Sequence, residues 1–243
     1  MTNFADKVVV VTGGGSGLGK TIAEKFNQEG AKIAIFGRDS KKLEDAQKNL
    51  EQCITVAGDV GKIADLDRLY QTTQEKLGKI DILVANAGIN IGIRPVDYVD
   101  EKYFDEMIST NFKGTYFTVQ RAISYLNDNA SVVLISSMAA HTGIFGFSVY
   151  SSTKAAVSML ARSFSADLMQ RGIRVNAISP GYIESAAFTE DFSNLLKEKI
   201  PTQRLARAQE IADAVAYLSS PSASYILGID LIIDGGFTEI AKN

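Results

Sequence analysis

Short runs of apolar and β-branched residues alternate along the chain with segments that have helical spacing. Each run is four to six residues long and predicts a β-strand. The seven runs are Lys7–Thr12, Lys32–Phe36, Ile54–Ala57, Ile80–Ala85, Ser131–Ser136, Arg174–Ile178 and Ile229–Ile233. Between two of them, apolar positions from Ile63 to Leu77 fall on one stripe of a helix. The pattern predicts repeated strand–helix units.

Several of these strands are apolar at consecutive positions, as in Val8–Val11 and Ile82–Ala85. Such strands are typical of a parallel sheet that helices cover on both faces. Seven units in 243 residues correspond to about 35 residues each, the size of a βα repeat. We therefore expect a single α/β domain over residues 1–243, a doubly wound Rossmann sheet of about seven mostly parallel strands. Its ligands should bind at the carboxyl ends of the strands.

Composition and charge limit the classes of function. The chain is 46% hydrophobic and 22% charged, and its net charge of −3 argues against nucleic acid or an anionic membrane as the main partner. One cysteine (Cys53) excludes an internal disulfide, and one histidine (His141) excludes a histidine cluster, so no metal site is expected. No run reaches the ~20 apolar residues of a membrane helix, and Met1–Lys7 has no apolar signal core. We expect a cytoplasmic protein.

A glycine-rich loop follows the first strand and leads into a helical stretch. It reads Gly13-Gly14-Gly15-Ser16-Gly17-Leu18-Gly19, a Gly-x-x-x-Gly-x-Gly spacing. Glycines allow a tight turn and a close approach of backbone N–H groups to a phosphate, and the helix N-terminus favours negative charge. The loop predicts a dinucleotide site.

The end of the second strand indicates which dinucleotide binds. An acidic residue there would accept a hydrogen bond from the ribose 2′-hydroxyl of NAD, but this strand ends in Gly37-Arg38. The planar fork of Arg38 suits a 2′-phosphate, and Lys41 and Lys42 add positive charge nearby. We expect NADP(H) to be preferred, with NAD(H) possible; in the alternative reading, Asp39 binds the ribose and Arg38 is only solvated.

Two Tyr-x-x-x-Lys pairs occur, and their contexts differ. Tyr98–Lys102 lies among acidic residues after Pro95 and predicts an exposed helix start. Tyr150–Lys154 opens a helix, so both side chains lie on one helix face, and Ser137 follows a neighbouring strand. A lysine ammonium one turn away, with the positive charge of an oxidised nicotinamide, would lower the phenol pKa toward neutrality. Tyr150 is the candidate acid/base.

These residues together are similar to a known family. Thr12–Gly19, Asn86-Ala87-Gly88, Asn111, Ser137, Tyr150–Lys154 and Pro180-Gly181 occur in an order that resembles the short-chain dehydrogenases/reductases of the single-domain type. The resemblance covers nearly the whole chain, to Asp234-Gly235-Gly236.

The resemblance implies roles for individual residues. Tyr150 would exchange a proton with the substrate oxygen, Ser137 would hydrogen-bond that oxygen, and Lys154 would bind the nicotinamide ribose and lower the phenol pKa. Asn111 would hold a water of the proton relay. Ser185 stands where the family most often has threonine. The implied coenzyme contacts are Gly13, Ser16, Gly17, Leu18, Gly19, Arg38, Asp59, Val60, Asn86, Ala87, Gly88, Tyr150, Lys154, Pro180, Gly181, Ile183 and Ser185.

The substrate side is less defined. Residues 184–206 include the apolar stretch Ala186–Ile200 and are expected to form a substrate lid, so a carbonyl or alcohol with an apolar portion fits best. Within the family a 3-oxoacyl-[acyl-carrier-protein] reductase or a sugar dehydrogenase is an alternative. Carrier-protein reductases have basic residues near the end of the helix that precedes the strand leading to Ser137. The residues expected there, Leu126–Asn129, are not basic, which disfavours that alternative, but Arg171 and Arg174 keep it open. A non-catalytic NADP(H)-binding regulator is a further one.

Three remaining features have plainer interpretations. Without an acid or cysteine partner, His141 is expected to cap or pack, and Cys53 to behave as a small apolar residue at the start of a strand. A stripe of small and apolar residues beyond Lys154 could pack in the core or against another subunit, and the family resemblance implies a homotetramer. The stripe consists of Ala155, Ala156, Met159, Ala161 and Phe164.

Overall fold

Seven parallel strands form one sheet at the centre of the protein, described here from a computed structural model that covers residues 4–240. Residues 1–3 and 241–243 of the predicted 1–243 domain lie outside the described residues, and so does the Met1–Asn3 part of the segment Met1–Lys7. The strands are β1 (Val8–Thr12), β2 (Lys32–Gly37), β3 (Cys53–Ala57), β4 (Ile80–Ala85), β5 (Leu126–Ile135), β6 (Arg174–Pro180) and β7 (Asp230–Ile233).

The strands lie in the order β3-β2-β1-β4-β5-β6-β7, and every neighbouring pair is parallel. The chain moves outward from β1 to β3, and then returns so that β4 pairs with the other side of β1. The carboxyl ends of β1 and β4 therefore flank the point where the winding reverses, which is where such sheets bind ligands. The predicted doubly wound Rossmann fold is confirmed.

Helices cover both faces of the sheet. The eight α-helices of the described residues are α1 (Gly17–Gln28), α2 (Ser40–Gln47), α3 (Ile63–Leu77), α4 (Glu101–Met107), α5 (Gly114–Ala122), α6 (Ser148–Leu168), α7 (Glu190–Lys199) and α8 (Ala208–Ser219). Val8 and Val10 pack with α3, α5 and α6, whereas Val9 and Val11 pack with α1, α2 and α8. Both sets are buried because successive side chains of a strand point to opposite faces.

One local prediction differs from the structure, and another is confirmed. Strand β5 begins at Leu126, so Leu126–Asn129 is not the end of a helix; the preceding helix stops at Ala122 and turn residues 123–125 follow. Its first residue pairs with Ile80, and the register then shifts before Ile82 pairs with Ser131. Such irregular pairing depends on the partner strand and leaves no periodic signal in the sequence. Helix α3 spans Ile63–Leu77, as the apolar stripe predicts.

One helical segment has π geometry. Residues Ile108–Lys113 form a π-helix between α4 and α5, and Asn111 lies within it, fully buried. The wider turn separates the two α-helices and places the Asn111 side chain against the backbone that follows β4. Inserted π turns often occur at functional sites.

Candidate active site

The glycine loop forms the floor of a groove at the carboxyl ends of β1, β2 and β4. Gly13 has a φ of +70°, and a Cβ on Gly19 would lie 2.3 Å from the Gly13 carbonyl oxygen and 2.5 Å from Asn86 Nδ2. Only glycine permits this close approach. Asn86 Nδ2 also donates to the Thr12 carbonyl at 2.9 Å, so the loop and the end of β4 are joined.

The N-terminus of α1 faces this loop without a capping side chain. Ser16 occupies the N-cap position and its side chain makes no cap hydrogen bond, whereas Asp39, Asp100 and Thr189 cap α2, α4 and α7. Backbone N–H groups of a first turn lack intrahelical partners, and the helix dipole favours an anion there. The end of α1 therefore fits a pyrophosphate.

The groove has a volume of about 370 Å³ and extends past the ends of β2 and β3. Ten of the predicted coenzyme residues line it: Gly13, Ser16, Leu18, Gly19, Arg38, Asp59, Val60, Asn86, Ala87 and Gly88. The sequence also predicts Gly15, Gly37, Asp39 and Lys42 near the coenzyme, and they line the groove too. Sequence reasoning missed five further lining residues: Phe36, Leu43, Gly58, Ile89 and Thr110. Of these, Phe36 and Gly58 lie at the ends of β2 and β3, so their place in chain order was an available signal.

A second groove of about 270 Å³ continues from the first, because Leu18, Asn86, Gly88 and Ile89 line both. Its other lining residues are Asn90, Ile135, Ser136, Ser137, Tyr150, Lys154, Pro180, Gly181 and Ile183. The structure thus brings the ends of β4, β5 and β6 and the start of α6 together. An elongated ligand bound along both grooves would extend from Arg38 to Tyr150.

Two predicted coenzyme residues do not line either groove. Gly17 begins α1 with a φ of +51° and has open space around it, so it shapes the turn. Ser185 is exposed, and its Oγ accepts a hydrogen bond from the Ala187 backbone at 3.2 Å. The structure therefore gives Ser185 a local turn contact.

Ser137, Tyr150 and Lys154 converge in the second groove. The Ser137 side chain hydrogen-bonds the Tyr150 side chain, and Lys154 Nζ lies 5.8 Å from the centroid of the Tyr150 ring. Lys154 is buried, and its Nζ donates to the Ile135 carbonyl at 2.9 Å. The other Tyr-x-x-x-Lys pair is exposed as predicted, with Tyr98 and Lys102 both on the surface.

Asn111 reaches the same place from the opposite side. Its Oδ1 accepts from the Ile89 backbone at 2.7 Å, and its Nδ2 donates to the Ile89 carbonyl at 2.9 Å. A Cβ on Gly88 would lie 3.4 Å from Asn111 Oδ1 and 3.3 Å from Lys154 Nζ. Asn111 thus anchors the chain after β4 close to Lys154, whereas the water-holding role stays a prediction.

Burial sets the protonation of the two central groups in the polypeptide by itself. It raises the pKa of the Tyr150 phenol above its usual value, and the Ser137 hydrogen bond offsets part of this rise. It lowers the pKa of Lys154 to about 8. In the polypeptide by itself, desolvation therefore keeps the phenol pKa raised. The lowering expected from Lys154 together with an oxidised nicotinamide stays a prediction. The phenol is protonated at neutral pH and suits proton donation.

The lowered pKa of Lys154 makes the stability of the free protein depend on pH. Between pH about 8 and 10.5, the unfolded chain holds a proton that the folded chain has released. Stability rises with pH wherever the unfolded state binds more protons. Lys154→Met removes this titration, so the free energy of unfolding of the wild type should rise relative to the variant by up to about 3 kcal/mol across the window.

Chemical denaturation at several pH values measures this difference. The exposed Lys102→Met substitution is the matched control and should follow the wild type at every pH. A wild-type-to-Lys154→Met difference that stays constant from pH 7 to 10.5 would contradict the assignment of a buried, weakly basic lysine.

Of two further residues, His141 differs from its prediction and Cys53 agrees with its own. His141 has an acidic partner, since its Nε2 lies 2.8 Å from Asp230 Oδ2, so the expectation of no acid partner was wrong. The two residues are far apart in sequence, and only the packing of β7 beside β6 joins them. Cys53 begins β3 as predicted, and burial raises the pKa of its thiol to about 12, so it is not a reactive thiolate.

Residues 184–206 lie beyond the end of β6. Within them α7 packs Leu196 and Ile200 into a small apolar cluster that also includes Leu205, while Phe192 and Leu195 remain exposed. The segment is tied to the rest of the domain by Ile183, which forms a β-bridge to Ala206.

Among residues 4–240, no helix is long and apolar enough to cross a membrane, and no group of three or more acidic, His or Cys side chains is arranged to hold a metal ion.

Comparisons with known proteins agree with this geometry. A family model described as enoyl-(acyl carrier protein) reductase matches residues 13–238. The oxidoreductase asL5 of Sarocladium schorii is 35% identical over 241 residues, with 96% of each chain covered. An uncharacterised oxidoreductase of Thermotoga maritima is 33% identical over 98% of this chain and 100% of its own.

Solved structures show the same fold along the whole chain. A short-chain dehydrogenase/reductase from Serratia marcescens superimposes with a TM-score of 0.93 at 29% identity, covering 97% of this chain and 99% of its own. A glucose/ribitol dehydrogenase of the same type from Brucella melitensis gives a TM-score of 0.94 at 29% identity, covering 99% of both chains.

Proposed function

Since the chain belongs to the short-chain dehydrogenase/reductase family of oxidoreductases, we propose that it interconverts a carbonyl compound and an alcohol. The carbonyl compound is a ketone, which gives a secondary alcohol, or an aldehyde, which gives the corresponding alcohol. The observation that carries this proposal is the meeting of Ser137, Tyr150 and Lys154 at one end of a glycine-floored groove. A bound nicotinamide coenzyme supplies or accepts the hydride at the substrate carbon.

The side chains handle the substrate oxygen and its proton. The Ser137 hydroxyl binds the carbonyl oxygen and holds it against Tyr150, whose Oη donates its proton to that oxygen in the reductive direction. Lys154 lies beside the phenol and binds the nicotinamide ribose, with its charge favouring the phenolate that remains.

We propose NADP(H) as the preferred coenzyme. Arg38 is exposed at the end of β2 and lines the groove, and Lys42 lies beside it. The competing acid, Asp39, also lines the groove, but its Oδ1 caps α2 by accepting from the Lys42 backbone at 3.1 Å. This arrangement favours a 2′-phosphate over a bare 2′-hydroxyl.

Substituting Arg38→Ser should lower kcat/KM with NADPH by about 10–150-fold, since a charge-assisted contact is worth about 1.5–3 kcal/mol. Turnover with NADH should change little. Lys48→Ala removes one positive charge at the other end of α2, outside the groove, and serves as the control. An equal loss with both coenzymes, or a wild type that prefers NADH, would overturn the assignment.

We further propose a substrate with an apolar portion and no charge. Phe147 contacts the Tyr150 ring edge-on at 5.9 Å, and the adjoining segments expose the large apolar side chains Ile93 and Phe145. These two segments are joined, because Arg94 N donates to the Gly146 carbonyl at 2.9 Å. The Arg94 guanidinium pairs with a carboxylate of α4's N-cap at 2.8 Å, so its charge is compensated. Phe192 of residues 184–206, the proposed lid, adds apolar surface.

The carrier-protein alternative loses the basic residues that kept it open. Arg171 donates to Asp128 Oδ1 and to the Ile123 and Leu126 carbonyls. Arg174 donates to the Leu218 carbonyl in the last turn of α8 and to the Ser220 carbonyl just after it. Both guanidinium groups therefore have structural partners, which favours a small-molecule substrate over an acyl-carrier protein.

Initial-rate measurements on a panel of ketones, aldehydes and alcohols, with NADPH and NADH, test the proposed reaction. We expect the highest kcat/KM with apolar ketones and NADPH. A protein that binds coenzyme tightly but changes the nicotinamide absorbance with no member of the panel would be a coenzyme-binding regulator, and the proposed reaction would be refuted.

We also propose a homotetramer. The stripe beyond Lys154 divides in the structure: Ala161 and Phe164 are buried, whereas Met159 is 53% exposed on α6. Tyr116 of the adjacent α5 is also exposed, and it packs on Phe164 at 5.3 Å between ring centroids. An apolar surface across two long helices favours packing against a second copy. Light scattering coupled to size exclusion measures the mass, and a monomer would contradict this proposal.

A further inference from the structure

Three polar side chains from three other segments meet at Asp230, the first residue of β7. Asp230 Oδ2 accepts hydrogen bonds from Ser158 Oγ and, at 3.0 Å, from Ser179 Oγ. His141 Nε2 lies 2.8 Å from the same oxygen and 3.3 Å from Ser179 Oγ. Because a carboxylate can only accept, the ring donates from Nε2. We call Asp230, Ser158, Ser179 and His141 the Asp230 cluster.

Each serine of the cluster belongs to an element that carries the active site. Ser158 lies one turn after Lys154 and two turns after Tyr150, so the three share one face of α6. Ser179 directly precedes Pro180 and Gly181, which line the second groove. The Asp230 carboxylate thus connects α6, with its acid/base pair, to the end of β6 that forms the opposite wall.

The histidine connects a third element. His141 follows a short 3-10 turn, Met138–Ala140, which begins directly after Ser137. The cluster therefore touches three of the segments that converge in the second groove: the segment after β5, helix α6 and the end of β6. No member of the cluster lines either groove, and none of these three segments lines the first groove.

The buried carboxylate is unusual for a purely structural contact. The Asp230 side chain is 4% exposed, and its Oδ1 is buried without a hydrogen-bond partner among residues 4–240. An incompletely satisfied buried carboxylate is costly, and an apolar side chain of similar size often packs as well or better. Such groups are retained in some proteins because they fix one arrangement of the elements that they join.

We propose that Asp230 is a positioning residue for the reaction. By holding Ser158 and Ser179 to one oxygen, it fixes the separation between the Tyr150–Lys154 face of α6 and the Pro180–Gly181 wall. The nicotinamide end of the coenzyme site depends on that separation, whereas the adenine end does not. This inference rests on the proposed function, whose reaction supplies the kinetic readout and whose coenzyme supplies the fluorescence readout.

The matched pair Ser158→Ala and Ser165→Ala tests the proposal. Both serines are buried on α6 and both link it to a neighbouring strand, since Ser165 Oγ donates to the Val175 carbonyl of β6 at 2.7 Å. Only Ser158 belongs to the cluster. Ser158→Ala should lower kcat by about 10–100-fold, as small misplacements in a reactive site do. The two substitutions should lower the thermal midpoint by similar amounts, because each removes one buried hydrogen bond. Ser165→Ala should leave kcat unchanged.

The second readout is the fluorescence of bound NADPH, which reports how firmly the nicotinamide ring is held. Ser158→Ala and Asp230→Leu should reduce the enhancement of nicotinamide fluorescence without changing the dissociation constant of NADPH. Asp230→Asn keeps an acceptor oxygen and nearly the same shape. It should therefore retain more of kcat and more of the nicotinamide fluorescence enhancement than Asp230→Leu does.

The outcomes separate the two proposals. Equal effects of Ser158→Ala and Ser165→Ala on kcat and on bound-NADPH fluorescence would overturn the positioning role. If the wild type binds NADPH but turns over no carbonyl substrate, the proposed reaction fails, and the fluorescence comparison still decides whether the Asp230 cluster positions the nicotinamide.

Discussion

Replacing Tyr150 with phenylalanine lowers kcat by about 10²–10⁴-fold, the range that proton transfer by a positioned side chain contributes. The substitution removes the Oη atom and its hydrogen bond with Ser137, and it keeps the ring that packs against Phe147. Coenzyme affinity and thermal stability should therefore stay close to those of the wild type. Initial rates, together with NADPH titration, measure both effects.

The Tyr98→Phe variant provides the control for this prediction. Tyr98 is 71% exposed and belongs to the other Tyr-x-x-x-Lys pair, so the same chemical change there should leave kcat unaltered. Near-normal turnover by Tyr150→Phe would remove the acid/base role from the proposed reaction.

Gly19→Ala should abolish tight coenzyme binding. The added Cβ would overlap the Gly13 carbonyl oxygen and the Asn86 side chain, at 2.3 and 2.5 Å, so the loop has to open. Overpacking of this kind costs about 1–3 kcal/mol or more in stability. Since the loop also forms the pyrophosphate site, the dissociation constant of NADPH should rise by about 100-fold or more, equivalent to ~2.7 kcal/mol.

Fluorescence titration with NADPH measures the change in affinity. Gly143→Ala is the control, because a Cβ there meets nothing within 4 Å. A Gly19→Ala protein that folds and binds NADPH as tightly as the wild type would show that the close approach in the loop is not required.

The parts of the fold that the sequence predicts are those with local signals. Burial of Val8–Val11 on both faces of the sheet and the apolar stripe of α3 depend on residues near in sequence, and both are confirmed. The position of the groove was predicted in the same way, because the carboxyl ends of parallel strands meet at one edge of the sheet. The glycine spacing indicated the loop Gly13–Gly19, whereas Asn86 and Pro180-Gly181 came from the family resemblance.

The features that were missed depend on contacts between distant segments. The π-helical turn that buries Asn111 has no periodic signature. The partner of His141 lies on β7, and Arg174 donates to carbonyls at the end of α8 and just after it. The desolvation that raises the pKa of Tyr150 and lowers that of Lys154 also depends on distant segments, because it appears only in the folded chain.

Transfer of deuterium to an apolar ketone, from NADPH that carries deuterium at both C4 positions, tests the central claim most directly. The account predicts an alcohol with deuterium on its carbinol carbon, formed by the wild type and not by Tyr150→Phe, with the hydroxyl proton derived from solvent. Tight binding of NADPH without deuterium in any product, across the whole panel of carbonyl compounds, would contradict the account.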